Sequence, residues 1–151
     1  PTAELPATTE AKYLAKHIVL VGYGRVGRRI AEALTAKQLP FVVAEQNREM
    51  VERLREQGIP AVSGDAAEPD VLIQAHIAHA RMLVIATPDT LDVRQMIASA
   101  RALNPTIETV VRTHSEAEAK LLASENAGRI FLGEHELAQS MTRHVLERVA
   151  A

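Results

Sequence analysis

The chain has 151 residues, 47% of them hydrophobic and 24% charged, with a formal net charge of −2 and no cysteine. That profile fits one globular domain with a sizeable core. It excludes disulfides, thiolate catalysis and zinc–cysteine sites, and it gives no general pull toward nucleic acid or an anionic membrane. No apolar run approaches the roughly 18–20 residues of a spanning helix, and no signal-like apolar segment is present. Direct membrane insertion is therefore not expected, and aromatic content of 3% disfavours base-stacking platforms for nucleic acid.

Residues 1–16 are polar, carry two prolines and show no period, so they read as a linker entering the domain. Only Tyr13-Leu14-Ala15 offers groups that could pack. The chain opens on Pro1 rather than methionine, which leads us to expect a piece processed or cut from something longer.

The domain proper, 17–151, begins with the apolar strand Ile18–Val21, which runs into Gly22-Tyr23-Gly24-Arg25-Val26-Gly27. In this G-x-G-x-x-G turn Gly22 permits the strand-to-helix reversal, and Gly24 lets backbone approach a phosphate. Gly27 lets the following helix pack closely on the sheet. The N–H groups of Arg25, Val26 and Gly27 open that helix, where its dipole favours an anion. Val26, Ile30, Ala33 and Leu34 give it an apolar stripe. A second apolar run, 41–44, ends on Glu45, a carboxylate placed to accept hydrogen bonds from both ribose hydroxyls and to repel a 2′-phosphate. That favours NAD- or AMP-type ligands over NADP, although Arg48 nearby keeps an NADP reading open; a solvated acid at a strand end is the alternative.

Further short apolar runs follow at 61–62, 82–86, 109–111 and 130–132, continuous rather than alternating, as in strands covered on both faces of a parallel sheet. Between them lie helix signals. Gly58 and Gly128 occupy C-terminal glycine positions, Pro69 a first turn, and Ser115-x-x-Glu118 a capping box ahead of Leu121 and Leu122. Val93, Met96, Ile97, Ala100 and Leu103 form a core-facing stripe. The pattern predicts an α/β, Rossmann-like, doubly wound six-stranded parallel sheet of order 3-2-1-4-5-6 in a single domain. The closing segment 134–149, with Leu137, Met141, Val145, Leu146 and Val149, reads either as a helix covering the sheet or as one that also pairs with a second subunit.

Ligands in such sheets sit beyond the carboxyl ends of the strands. The third strand ends on Gly64-Asp65-Ala66, where Asp65 could accept from an adenine amino group or simply make a glycine turn. The fourth ends on Ala86-Thr87-Pro88-Asp89; Thr87 could touch ribose or phosphate, and Asp89 could be a helix cap. The fifth presents Arg112-Thr113-His114, with Arg112 able to meet a phosphate or form a surface salt bridge. The nucleotide-site candidates are thus Gly22, Tyr23, Gly24, Arg25, Val26, Gly27, Glu45, Gln46, Asp65, Ala66, Thr87 and Arg112. His76 and His79 have i, i+3 spacing without a third ligand, so no metal site is expected.

No catalytic constellation accompanies these residues. A small NAD-dependent oxidoreductase is the alternative, but Tyr13 and Lys16 are too close for a Tyr-x-x-x-Lys pair and precede the first strand, and His114 has no orienting partner. A phospho-receiver domain would need clustered acids where Gly22-Tyr23-Gly24 stands. DNA binding would need a basic arm beyond Arg25, Arg28 and Arg29.

The glycine motif, Glu45, Gly64-Asp65-Ala66, Ala86-Thr87-Pro88-Asp89, Ala100-Arg101-x-x-Asn104-Pro105 and Arg112 together resemble the TrkA-N domain, also called the RCK N-terminal or KTN domain, over about residues 17–149. Gly133-Glu134-x-Glu136-Leu137-Ala138-x-x-Met141 is similar more narrowly to the cytoplasmic tail of Kef-type monovalent cation/proton antiporters. The resemblance implies a non-enzymatic regulatory domain that binds NAD(H) or AMP and works as a homodimer. It would lie on the cytoplasmic face of the bacterial inner membrane, gating a potassium or cation antiporter domain of the same polypeptide upstream of 1–16. The family more often has Asp where this chain has Glu45.

Overall fold

The computed structural model describes residues 4–87 and 92–150. Six parallel strands form one sheet: β1 (Ile18–Val21), β2 (Phe41–Glu45), β3 (Ala61–Ser63), β4 (Met82–Ile85), β5 (Glu108–Thr113) and β6 (Arg129–Leu132), in the order β3-β2-β1-β4-β5-β6. The helices are α1 (Arg25–Ala36), α2 (Arg48–Glu56), α3 (Pro69–Gln74), α4 (Val93–Leu103), α5 (Glu116–Ser124) and α6 (Gly133–Ala150). The expected doubly wound order is therefore the observed one. Successive residues of a strand face opposite sides, so each run of apolar residues feeds two cores. Leu20, Val43 and Val84 pack with Ala31, Val51 and Leu54 of α1 and α2. Val19, Val42, Leu83 and Ile85 pack with Leu72, Met96, Ile97 and Leu122 of α3, α4 and α5. The register pairs Val21 with Ala44 on one side and Ile85 on the other, bringing the ends of β1, β2 and β4 to one level.

Local signals held where they depend on backbone geometry. Pro69 lies in the first turn of α3, and Gly58 follows α2 with φ +81°. Gly128 does a different job from the one expected. Asn126, at φ 53°, takes the left-handed position after α5, while a Cβ on Gly128 would sit 2.0 Å from Thr109 Oγ1. Gly128 is there for close approach to β5. The capping box is half made: Ser115 Oγ accepts from the Glu118 amide at 3.1 Å, but the Glu118 carboxylate instead accepts from the Thr113 hydroxyl at 2.7 Å.

Other apolar positions are more exposed than their spacing suggests. Ala33 of α1 faces solvent, and Gly27 and Ala31 are its buried positions. Leu103 and Leu121 are also exposed. Helix α6 does not cover the sheet: none of its residues is buried, and Leu137, Met141, Val145, Leu146 and Val149 are each more than half exposed. The entering segment does more than link. Leu5 as well as Tyr13 packs against the core, Arg55 donates to the Glu4 carbonyl, and the Lys16 amide donates to the His79 carbonyl at 2.7 Å.

His17 is fully buried just ahead of β1; its Nε2 lies 2.8 Å from the Ala75 carbonyl and its Nδ1 has no partner. Burial pushes the imidazole below its ordinary pKa; the Ala75 carbonyl opposes this, and His76 and His79 add to the lowering. The folded state thus prefers neutral His17, so its contribution is complete above the unfolded value of about 6.5 and is lost as pH falls below it. The melting midpoint should fall between pH 7 and pH 5.5, with the His17 ring signal still that of a neutral imidazole below pH 6.5 by NMR. A His17 ring that titrates like a free imidazole would contradict this.

Candidate nucleotide site

The ends of β1, β2 and β4 and the turn before α1 enclose a cleft of about 400 Å³. Its lining includes Gly22, Tyr23, Gly24 and Arg25 from the turn, Glu45 and Gln46 from the end of β2, Ala66 after β3, Thr87 after β4 and Arg112 of β5. Nine of the candidate positions therefore meet in one space. The others contribute from outside it. Val26 packs against the α1–α2 core. Gly27 is buried, and a Cβ there would lie 2.2 Å from the Gly22 carbonyl oxygen. Asp65 turns its Oδ1 to the Ala67 amide at 2.9 Å, the local turn arrangement.

The turn itself leaves backbone N–H groups open at the start of α1. Gly22 has φ +93°, a conformation open to glycine, and a Cβ there would reach Thr87 Cβ at 3.0 Å. At Gly24 a Cβ would meet nothing within 4 Å, so its missing side chain leaves space in the cleft rather than relieving a protein contact. The Arg28 amide bonds to the Gly24 carbonyl at 2.9 Å, which leaves the N–H groups of Arg25, Val26 and Gly27 ahead of the helix ladder. Arg112 adds a cation at the opposite wall, its Nη1 donating to the Ala86 carbonyl at 3.2 Å. No carboxylate forms an ion pair with Arg112 among the described residues.

Glu45 makes contacts that sequence could not show. Its Oε1 accepts from the Tyr23 amide at 3.1 Å and its Oε2 from the Asn47 amide at 2.6 Å. The carboxylate thus ties the glycine turn to the tip of β2. Each carboxylate oxygen has a further lone pair, so capacity for two hydroxyl donors remains. Burial and Glu32 push the Tyr23 phenol above its ordinary pKa, with Arg28 pulling the other way. Met96, 1% exposed, also lines the cleft; its spacing marked it only as core. Asp89 lies outside the described residues, and α4 starts after Asp92. Among the described residues no group of His, Cys, Asp or Glu side chains is placed to hold a metal ion, and no helix is long and apolar enough to cross a membrane.

The TrkA-N domain family model matches residues 18–132, from the first residue of β1 to the last of β6. The chain belongs to the TrkA-N domain family. Over 128 residues this TrkA-N domain is 39% identical to the Escherichia coli K12 protein named "Putative cation/proton antiporter YbaL", covering 85% of this chain and 23% of that protein. It thus spans about a quarter of that relative's length. The crystal structure of the TrkA-N domain of inner membrane protein YbaL from Escherichia coli superposes with a TM-score of 0.81 at 39% identity, covering 85% of this chain and 96% of that one. The GsuK channel bound to NAD superposes with a TM-score of 0.71 at 25% identity, covering 86% of this chain and 23% of that one.

Proposed function

We propose that this TrkA-N domain is a regulatory module that binds an adenine nucleotide, NAD(H) or AMP, and passes its occupancy to a cation/proton antiporter domain of the same polypeptide. Residues 1–16 would lead from that membrane domain, with the module on the cytoplasmic face of the bacterial inner membrane. One observation carries the reading: the Glu45 carboxylate, the open N–H groups of α1 and the Arg112 guanidinium border one cleft. Ribose, phosphate and a second phosphate or phosphate edge are the groups such a set suits. The similar proteins, a putative cation/proton antiporter and a channel bound to NAD, support it.

Isothermal titration with NAD, NADH, AMP, ATP and NADPH is expected to show saturable binding of at least one of the first three, with NADPH weaker than NADH. No heat from any of them at millimolar concentration would end the reading. An oxidoreductase is less well served, because Tyr13 lies with Pro40 and Pro60 at the amino ends of the strands, away from the cleft.

The exposed stripe on α6 supports a homodimer as the working form. Five large apolar side chains at 53–78% exposure along one helix form an apolar surface of the kind that marks an interaction face. Sedimentation at micromolar concentration should give a dimer, and Met141→Glu with Val145→Glu should give a monomer that melts like a folded domain. A monomeric wild type would refute this part.

A further inference from the structure

A second groove, of about 580 Å³, runs between α1 and α2 and joins the nucleotide cleft across Tyr23, Gly24 and Arg25. Arg25 and Arg28 of α1 and Arg53 of α2 open onto it, with Met50 and Leu54 beneath. These cations have little to hold them there. Arg25 and Arg53 have no carboxylate partner among the described residues, and the contact made by Arg53 is to Met50 Sδ at 3.9 Å. Arg28 Nε is 3.8 Å from Glu32 Oε1, but both side chains are more than 60% exposed, so water screens the pair.

Three exposed guanidiniums border one concave space and none of them has a close carboxylate partner among the described residues, so the groove presents an excess of positive charge. Their planar forks match phosphate and carboxylate oxygens. Leu54 is 1% exposed and Met50 is half-buried, which gives the groove an apolar floor. The geometry points to a binding site here for a small polyanion, a molecule carrying two or more closely spaced phosphate or carboxylate groups, separate from the nucleotide. Tyr23 belongs to both spaces, and its amide is the one that holds Glu45, so an anion in the groove acts on the same turn that a nucleotide contacts. The site stands whether or not the cleft binds nucleotide.

The test is an NMR titration of the purified chain at low ionic strength with inorganic pyrophosphate and, separately, with citrate, following the arginine Nε–H signals. Arg25, Arg28 and Arg53 are expected to shift together and saturably with at least one probe, and the tighter one separates a phosphate ligand from a carboxylate ligand. Arg53→Gln, which lies outside the nucleotide cleft, should weaken that binding at least tenfold without moving the melting midpoint. Absence of a saturable shift with both probes overturns the proposal. So do shifts confined to Arg25 and the amides of 22–27, which would place the anion at the glycine turn, and so does unchanged affinity in Arg53→Gln.

Discussion

Replacing Glu45 by Ala is expected to weaken nucleotide binding by roughly 10- to 150-fold, the loss of a charged hydrogen-bond acceptor worth about 1.5–3 kcal/mol. Two effects add in the same direction. A bound ribose would lose its acceptor, and the Tyr23 and Asn47 amides lose the carboxylate that anchors turn to strand. Stability should change little, because the Asn47 end of this link is open to water, which can take over the hydrogen bond. Glu45→Gln separates the contributions. It keeps one acceptor oxygen but removes the charge that repels a 2′-phosphate, so binding of NADH should weaken less than in Glu45→Ala and the preference for NADH over NADPH should shrink. Calorimetry on the three proteins reads both quantities. Equal affinity of wild type and Glu45→Ala would show that the ribose is held elsewhere or that no ribose binds.

Gly27→Ala should be the most damaging single methyl addition near the site. The new Cβ would lie 2.2 Å from the Gly22 carbonyl oxygen and 3.0 Å from its carbon, both backbone atoms. Gly22 cannot easily yield, since its amide donates to the Ala44 carbonyl at 2.9 Å and its φ is +93°. Helix propensity works the other way, favouring Ala over Gly by about 1 kcal/mol. Overpacking against rigid backbone typically costs about 1–3 kcal/mol and sometimes more, so the net sign is destabilising. A fall in melting midpoint of about 2–10 °C is expected, with loss of nucleotide binding as α1 lifts from the turn. Gly24→Ala is the counterpart: nothing of the protein lies within 4 Å of its added Cβ, so melting should be unchanged while ligand affinity falls. If the two variants behaved alike, the distinct jobs assigned to these glycines would be wrong.

Much of the fold was readable because its signals are local. The continuous apolar runs ending in Val21, Ala44 and Ala86 marked strands that are covered on both faces, and glycine and proline punctuation marked the end of α2 and the start of α3. The strand order was expected from the succession of six βα units in one doubly wound domain. Periodicity was less reliable on the outer helices. Ala33, Leu103, Leu121 and the stripe on α6 all have helical spacing, yet each faces solvent, because spacing states which residues share a face and not whether anything lies against it. Asn104 illustrates another gap: its side chain donates to the Ile77 and Ala80 carbonyls, 3.0 and 2.8 Å away, a structural duty with no local signature.

At the site the division is sharper. The sequence by itself determined a glycine turn, an acid at the tip of the next strand and an arginine on a later one, since each follows from residue type and spacing. Only the tertiary structure decided that the acid also grips the Tyr23 amide, that Asp65 turns toward Ala67, that Met96 lines the cleft and that three arginines border a groove behind it. Backbone conformation is set over a few residues, whereas a side chain's partners come from strands and helices far apart in the chain. Those partners meet only when the whole sheet is assembled.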